Sequence, residues 1–140
     1  MSGKQRIDKC LNPLEDKIIL LSIQYEYFLK IINGTKKYEY RFAFPKFPVK
    51  AFVYAPRKVK AIVGYIEFEQ PIEGSPTQIA KLYSSCGDGS FQVMIDYIGK
   101  REKAYAAKVK RAIKLDRPIS QSEIKTRFSD FFAPQSYLFL

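Results

Sequence analysis

The sequence predicts an α+β fold, a small β-barrel flanked by three to four helices, and three observations carry it. The apolar pattern switches repeatedly between a period of about 3.6 and a period of 2, so helices and strands alternate along the chain. The longest strand-like segment, "VKAIVGYIEFEQPI" (59–72), is apolar at both parities near its centre, as expected where a curled sheet is covered on both faces. Two consecutive segments at 75–87 and 90–99 are amphipathic at helical spacing and each needs a sheet to cover.

In chain order, residues 1–17 are polar and broken by Pro13, which reads as an N-terminal arm; the domain proper is 18–140. "IILLSI" (18–23) is a continuous apolar run of strand length. Tyr25, Phe28, Leu29 and Ile32 follow at i, i+3, i+4 and i+7, one helical stripe, and Gly34 suits the left-handed position after its end. From Tyr38 the period becomes 2: Tyr38, Tyr40 and Phe42 share one face, Glu39 and Arg41 the other. "AFVYA" (51–55) is a short strand, and 59–72 the long one. Ser75, Pro76 and Gln78 form a capping box for a helix with Ile79, Leu82 and Tyr83 buried, stopped at Gly87. Phe91, Met94, Ile95 and Ile98 mark the next helix, ended by Gly99. In "KAYAAKVKRAIKLDRPI" (103–119) Tyr105, Ala107, Val109, Ile113 and Leu115 oppose a ridge of Lys108, Lys110 and Lys114. Ser120 to Glu123 opens a short helix with Ile124 and Phe128 buried, and the last four residues read as a strand.

At 140 residues the chain is sized for one domain. Its 24 Lys and Arg against 14 Asp and Glu give a net charge of +10, which favours a polyanionic partner. No window approaches the roughly 18 apolar residues of a membrane span, and the N-terminus lacks a signal-peptide core, so a cytoplasmic protein with no membrane partner is expected. Cys10 and Cys86 are far apart and there is no histidine. That composition predicts reduced thiols and no metal site, and removes triads and Cys-His pairs. No phosphate-binding glycine loop is present, and no cofactor is expected. Nothing in the residues specifies an oligomeric state.

The stretch "GTKKYEYR" (34–41) concentrates the chemistry. As a surface pair, Glu39 and Arg41 contribute only about 0–1 kcal/mol. In a concave site the same carboxylate orients the Arg41 fork for a phosphate or base edge, leaving Lys36 as an unpaired cation to meet a phosphate. Lys36 has the wrong parity for a regular strand and joins them only if it lies in the turn after Gly34. Lys108, Lys110 and Lys114, with Arg57, Lys58 and Lys60, are candidates to track a nucleic-acid backbone, weighed equally against a solvated face. Tyr38, Tyr40 and Tyr54 are candidate stacking platforms, with core packing the commoner fate of a tyrosine.

Gly34, Lys36, Glu39 and Arg41 complete the pattern G-x-K-x-x-E-x-R, directly after an apolar strand and a helix. With "YA" beside "VKAIVG", two helices, "KAYAAKVK" and a closing P-Q-S-Y-x-x-L at 134–140, the sequence resembles the ASCH domains of the PUA-like superfamily. The resemblance covers about residues 18–140. It implies a PUA-like barrel with a cleft beside the motif that binds RNA or a nucleotide-like ligand, DNA being a possible partner, with Tyr54 and Ser136 as rim contacts. It also implies two alternatives: a hydrolase, either amidohydrolase on acetylated cytidine or ribonuclease, with Lys36 and Glu39 as the catalytic pair, and a module in transcription regulation. The amidohydrolase type uses a Lys with a Thr three positions later; here that position is Glu39, and Thr35 lies on the other side of Lys36. The residues favour a binding module over an enzyme.

Overall fold

The structure is a computed structural model and describes residues 17–127, 131, 133, 134 and 136–140. The expected arm except Lys17, together with Cys10 and Phe128, lies outside these residues. Among the described residues the order is β1 (Ile18–Ser22), α1 (Tyr25–Ile32), β2 (Tyr38–Arg41), β3 (Lys50–Ala55), β4 (Ala61–Phe68), β5 (Ile72–Gly74), α2 (Pro76–Ser85), α3 (Phe91–Ile98), β6 (Ala104–Ser120), α4 (Gln121–Arg127) and β7 (Tyr137–Phe139).

The strands form one sheet in the order β2-β6-β4-β3-β1-β7, with β5 also on β6. β6, 17 residues long, serves two parts of the sheet: Tyr105–Lys108 pair with β2, and Val109–Ser120 pair with β4. Register irregularities between Val53 and Tyr54, Ile62 and Gly64, and Glu67 and Phe68 interrupt the ladders. Such bulges bend and twist strands, which is how an α+β sheet of this size curls toward a small barrel.

Three apolar clusters fill the fold. The largest packs Phe28 and Ile31 of α1 against β1, β3, β4 and the odd positions Tyr105 and Ala107 of β6. A second places α2 and α3 (Ile79, Ala80, Met94, Ile98) over Tyr40 and the even positions Ala104 and Ala106. The start of β6 is therefore covered on both faces, and small alanines are what allow two layers to approach it. The third joins Leu20, Tyr54 and Ile124.

Helix boundaries follow local chemistry. Ser75 Oγ accepts from the Gln78 amide while Gln78 Oε1 accepts from the Ser75 amide, and Pro76 occupies the first turn. Gly34 adopts φ +84°, the left-handed conformation that lets the chain leave α1 and turn into β2.

Two sequence expectations need correction. The long strand expected over 59–72 is two, β4 and β5, because the chain turns at Glu69–Pro71 and proline cannot donate to a ladder. Phe42 does not share the buried face of Tyr38 and Tyr40: β2 ends at Arg41, and Phe42 lies exposed against Tyr97 at 5.3 Å between ring centroids.

Candidate functional site

Where β1 ends, α1 begins and β2 passes, the sheet opens into a cleft of about 500 Å³. Its floor is the charged face of the motif. Glu39 is 6% exposed, and its two oxygens divide between two cations. Oε1 lies 3.1 Å from Lys36 Nζ; Oε2 accepts from Arg41 Nε at 2.7 Å, with Arg41 Nη2 at 2.6 Å. Arg41 Nη2 also donates to the Ser22 carbonyl at 2.6 Å, which fastens the guanidinium to the end of β1.

Lys36 reaches Glu39 because it sits in the irregular stretch between α1 and β2, before the alternation of the strand begins. Its ammonium also donates to the Tyr38 carbonyl and lies 5.2 Å from the centroid of the Tyr40 ring. The expectation of an unpaired Lys36 is therefore corrected: a buried carboxylate with two oxygens takes a cation on each. Two cations on one carboxylate still leave an excess positive charge on the floor. Burial acts to raise the Glu39 pKa, but Arg41 and Lys36 together hold it below its ordinary value.

The walls come from elements the motif does not include. Tyr27 of α1 and Tyr97 of α3 line the cleft and remain about half exposed, joined there by exposed Val93 and buried Met94 of α3. Tyr40 is oriented by its hydroxyl, which donates to Asp88 at 2.6 Å; burial and this carboxylate both push its pKa up. Arg57 stands at the mouth in the β3–β4 turn with φ +67°, a conformation that costs a side-chain-bearing residue energy. Among the described residues no ion pair engages it.

Ser22 knits the cleft to the C-terminal segment. Its amide donates to the Ser136 carbonyl at 2.9 Å and its hydroxyl to the Pro134 carbonyl at 2.6 Å. Ser136 thus acts through its backbone behind Ser22 and does not line the cleft, contrary to the expected rim contact. Tyr54 is not at the rim either. It is 1% exposed and packs against Phe131 at 5.8 Å, because its parity on β3 directs it to the third cluster. The lysine ridge disperses. Lys108, opposite Tyr38, lies outside the cleft, while Lys110 lines a second groove. Lys36, Glu39, Arg41 and Arg57, with Tyr40 of the stacking candidates, are the expected residues that meet at the cleft.

Sequence reasoning missed Ser22, Tyr27 and Tyr97. The available signals were a polar residue closing an apolar strand and two tyrosines standing off the apolar stripes of their helices.

Among the described residues no group of three or more potential metal-ligating side chains is found, and no helix is long and apolar enough to cross a membrane.

No family model matches the chain. A curated protein of Zymomonas mobilis, an "ASCH domain-containing ribonuclease", is 28% identical over 126 residues, covering 89% of this chain and 84% of the relative. The crystal structure of the Zymomonas mobilis ASCH protein superposes with a TM-score of 0.75 at 28% identity over 89% of this chain and 87% of that one. A serine-to-alanine mutant of the same protein gives 0.74 over 90% and 89%. Sequence and architecture agree over nearly the whole described chain: it is similar to the ASCH domain protein of Zymomonas mobilis in both, and it has a small α+β barrel of the PUA-like type.

Proposed function

We propose that this protein binds RNA through the cleft beside Lys36, Glu39 and Arg41, seating a phosphate over the cationic floor and an unpaired base against Tyr27 and Tyr97. The observation that carries the reading is the bridged floor: Glu39 holds both cations in place before a ligand arrives, so little ordering is left to binding. Among the described residues Arg41 Nη1 makes no hydrogen bond, leaving one face of the fork for an incoming oxygen. A volume of about 500 Å³ suits a nucleotide-sized ligand. Exposed aromatic walls suit unpaired bases, which proteins commonly recognise by stacking. The relative named a ribonuclease supports RNA over DNA as the polymer.

The test is fluorescence anisotropy with a labelled single-stranded RNA. Arg41→Ala is expected to weaken binding by about tenfold or more, since a charge-assisted fork is lost. Lys81→Ala, on the exposed face of α2, is expected to change it less than twofold. Equal losses in both would mean diffuse charge attraction and no specific cleft.

A second reading, phosphodiester hydrolysis, is favoured by the same relative's name. Lys36 and Arg41 would stabilise charge developing on the phosphoryl oxygens. The acyl-transfer alternative has less support: Thr35 is exposed and outside the cleft, and the Ser22 hydroxyl is engaged by Pro134. Incubation with labelled RNA and with acetylated cytidine, with and without a divalent metal, separates the readings. Turnover abolished by Lys36→Ala would establish an enzyme, and no turnover on either substrate would retire hydrolysis.

A further inference from the structure

A second groove of about 490 Å³ lies at the other end of β1, lined by Lys17, Phe47, Lys50, Glu67 and Lys110 among others. We propose that it is a second contact for single-stranded RNA, engaged together with the first cleft by one strand. The proposal rests on the RNA reading above and adds a site to it.

Three observations carry it. The first is charge. Three lysines line the groove against one carboxylate, and Glu67 is already shared by Lys50 at 3.9 Å and Arg111 at 3.7 Å. Among the described residues Lys17 and Lys110 make no ion pair. The second is backbone placement. Glu67 pairs with Arg111 and Phe68 with Val109, so Lys110 is the extra residue of a β-bulge, a device that re-aims a side chain away from the regular alternation. The third is an exposed aromatic lining the groove, Phe47, with a second exposed ring beside it. Phe47 is 37% exposed and stands 6.1 Å from Phe139, which is 52% exposed, with planes inclined by 32°. Lysines beside open aromatic faces are the composition of sequence-tolerant single-strand sites, where the backbone follows charge and bases stack. A second copy of the chain is disfavoured as occupant, because its own lysines would meet these across the contact.

The spacing suits one strand. Lys17 lines this groove and Ser22 the first cleft, and five residues of extended chain separate them by about 16 Å. A dinucleotide cannot fill both sites, whereas an RNA of about 12 nucleotides, within the usual range for such sites, can.

The experiment compares the dinucleotide UpU, followed by NMR shifts, with a fluorescein-labelled RNA of about 12 nucleotides. The proteins are wild type, Arg41→Ala, the double variant Lys17→Ala/Lys110→Ala, and Phe47→Leu, which keeps an apolar side chain but removes the ring. The groove variants are expected to bind UpU as wild type does and to lose about tenfold on the longer RNA. The double variant should also show a shallower dependence on salt. Unchanged affinity for the longer RNA in both groove variants overturns the proposal, even if the groove then proves to bind anionic vesicles. If Arg41→Ala still weakens binding in that case, the first cleft stands alone. If wild type binds neither RNA, the RNA reading itself has failed.

Discussion

Glu39 is the residue whose chemistry organises the cleft. Its carboxylate is nearly buried, and a buried charge persists only when paired; here each oxygen holds a different cation. Glu39→Gln would leave Lys36 and Arg41 facing each other with no anion between them. We expect a loss of about 3 kcal/mol in denaturant unfolding at neutral pH, the scale of breaking a buried pair from one side. The sign of the acid response follows from the lowered carboxyl pKa. The unfolded chain binds the proton more readily, so the stabilisation from this group is present above its ordinary value of 4.5 and is lost as pH falls through the lower folded value. The gap in unfolding free energy between wild type and Glu39→Gln should therefore be full at neutral pH and narrow as pH falls below 4.5. A constant gap between them would mean that the carboxylate is not the titrating group.

At the scale of elements, the sheet is shaped by close approach and irregular pairing. Phe28 of α1 packs directly over Gly64 of β4, and a methyl group there would also stand 2.5 Å from the Ile113 carbonyl. Gly64→Ala should cost about 1–3 kcal/mol through overpacking, read as a lower urea midpoint, and should loosen α1 with it. Ser75→Ala should cost about 1 kcal/mol by removing one arm of the capping box of α2. These elements were legible because each has a local signature: the capping box, the stripe Tyr25–Ile32, the alternation from Tyr38. The bulges were not legible. A period-2 reading assigns faces by parity, and the extra residue at Lys110 breaks parity without any change in residue type. The same limit hid the fate of Tyr54. Its position on β3 was readable, but which face the third cluster covers depends on where Ile124 and Phe131 return, a tertiary fact.

At the scale of the molecule, curling places the end of β1, the turn after α1 and one side of α3 around one hollow, although 60 or more residues separate Lys36 from Tyr97. The motif and its charges could be read from the sequence. The aromatic walls could not, because an exposed tyrosine gains its role only from the neighbour that folding supplies. The net charge of +10 predicts that RNA association falls steeply with added salt. What distinguishes a built site from general attraction is where the ligand rests. The most direct test is a backbone amide shift map on adding uridine monophosphate to the isotope-labelled protein. Perturbations concentrated at Ser22, Lys36, Glu39, Arg41 and Tyr97 are expected. Shifts scattered over exposed lysines such as Lys81 and Lys125, with the cleft silent, would contradict the account.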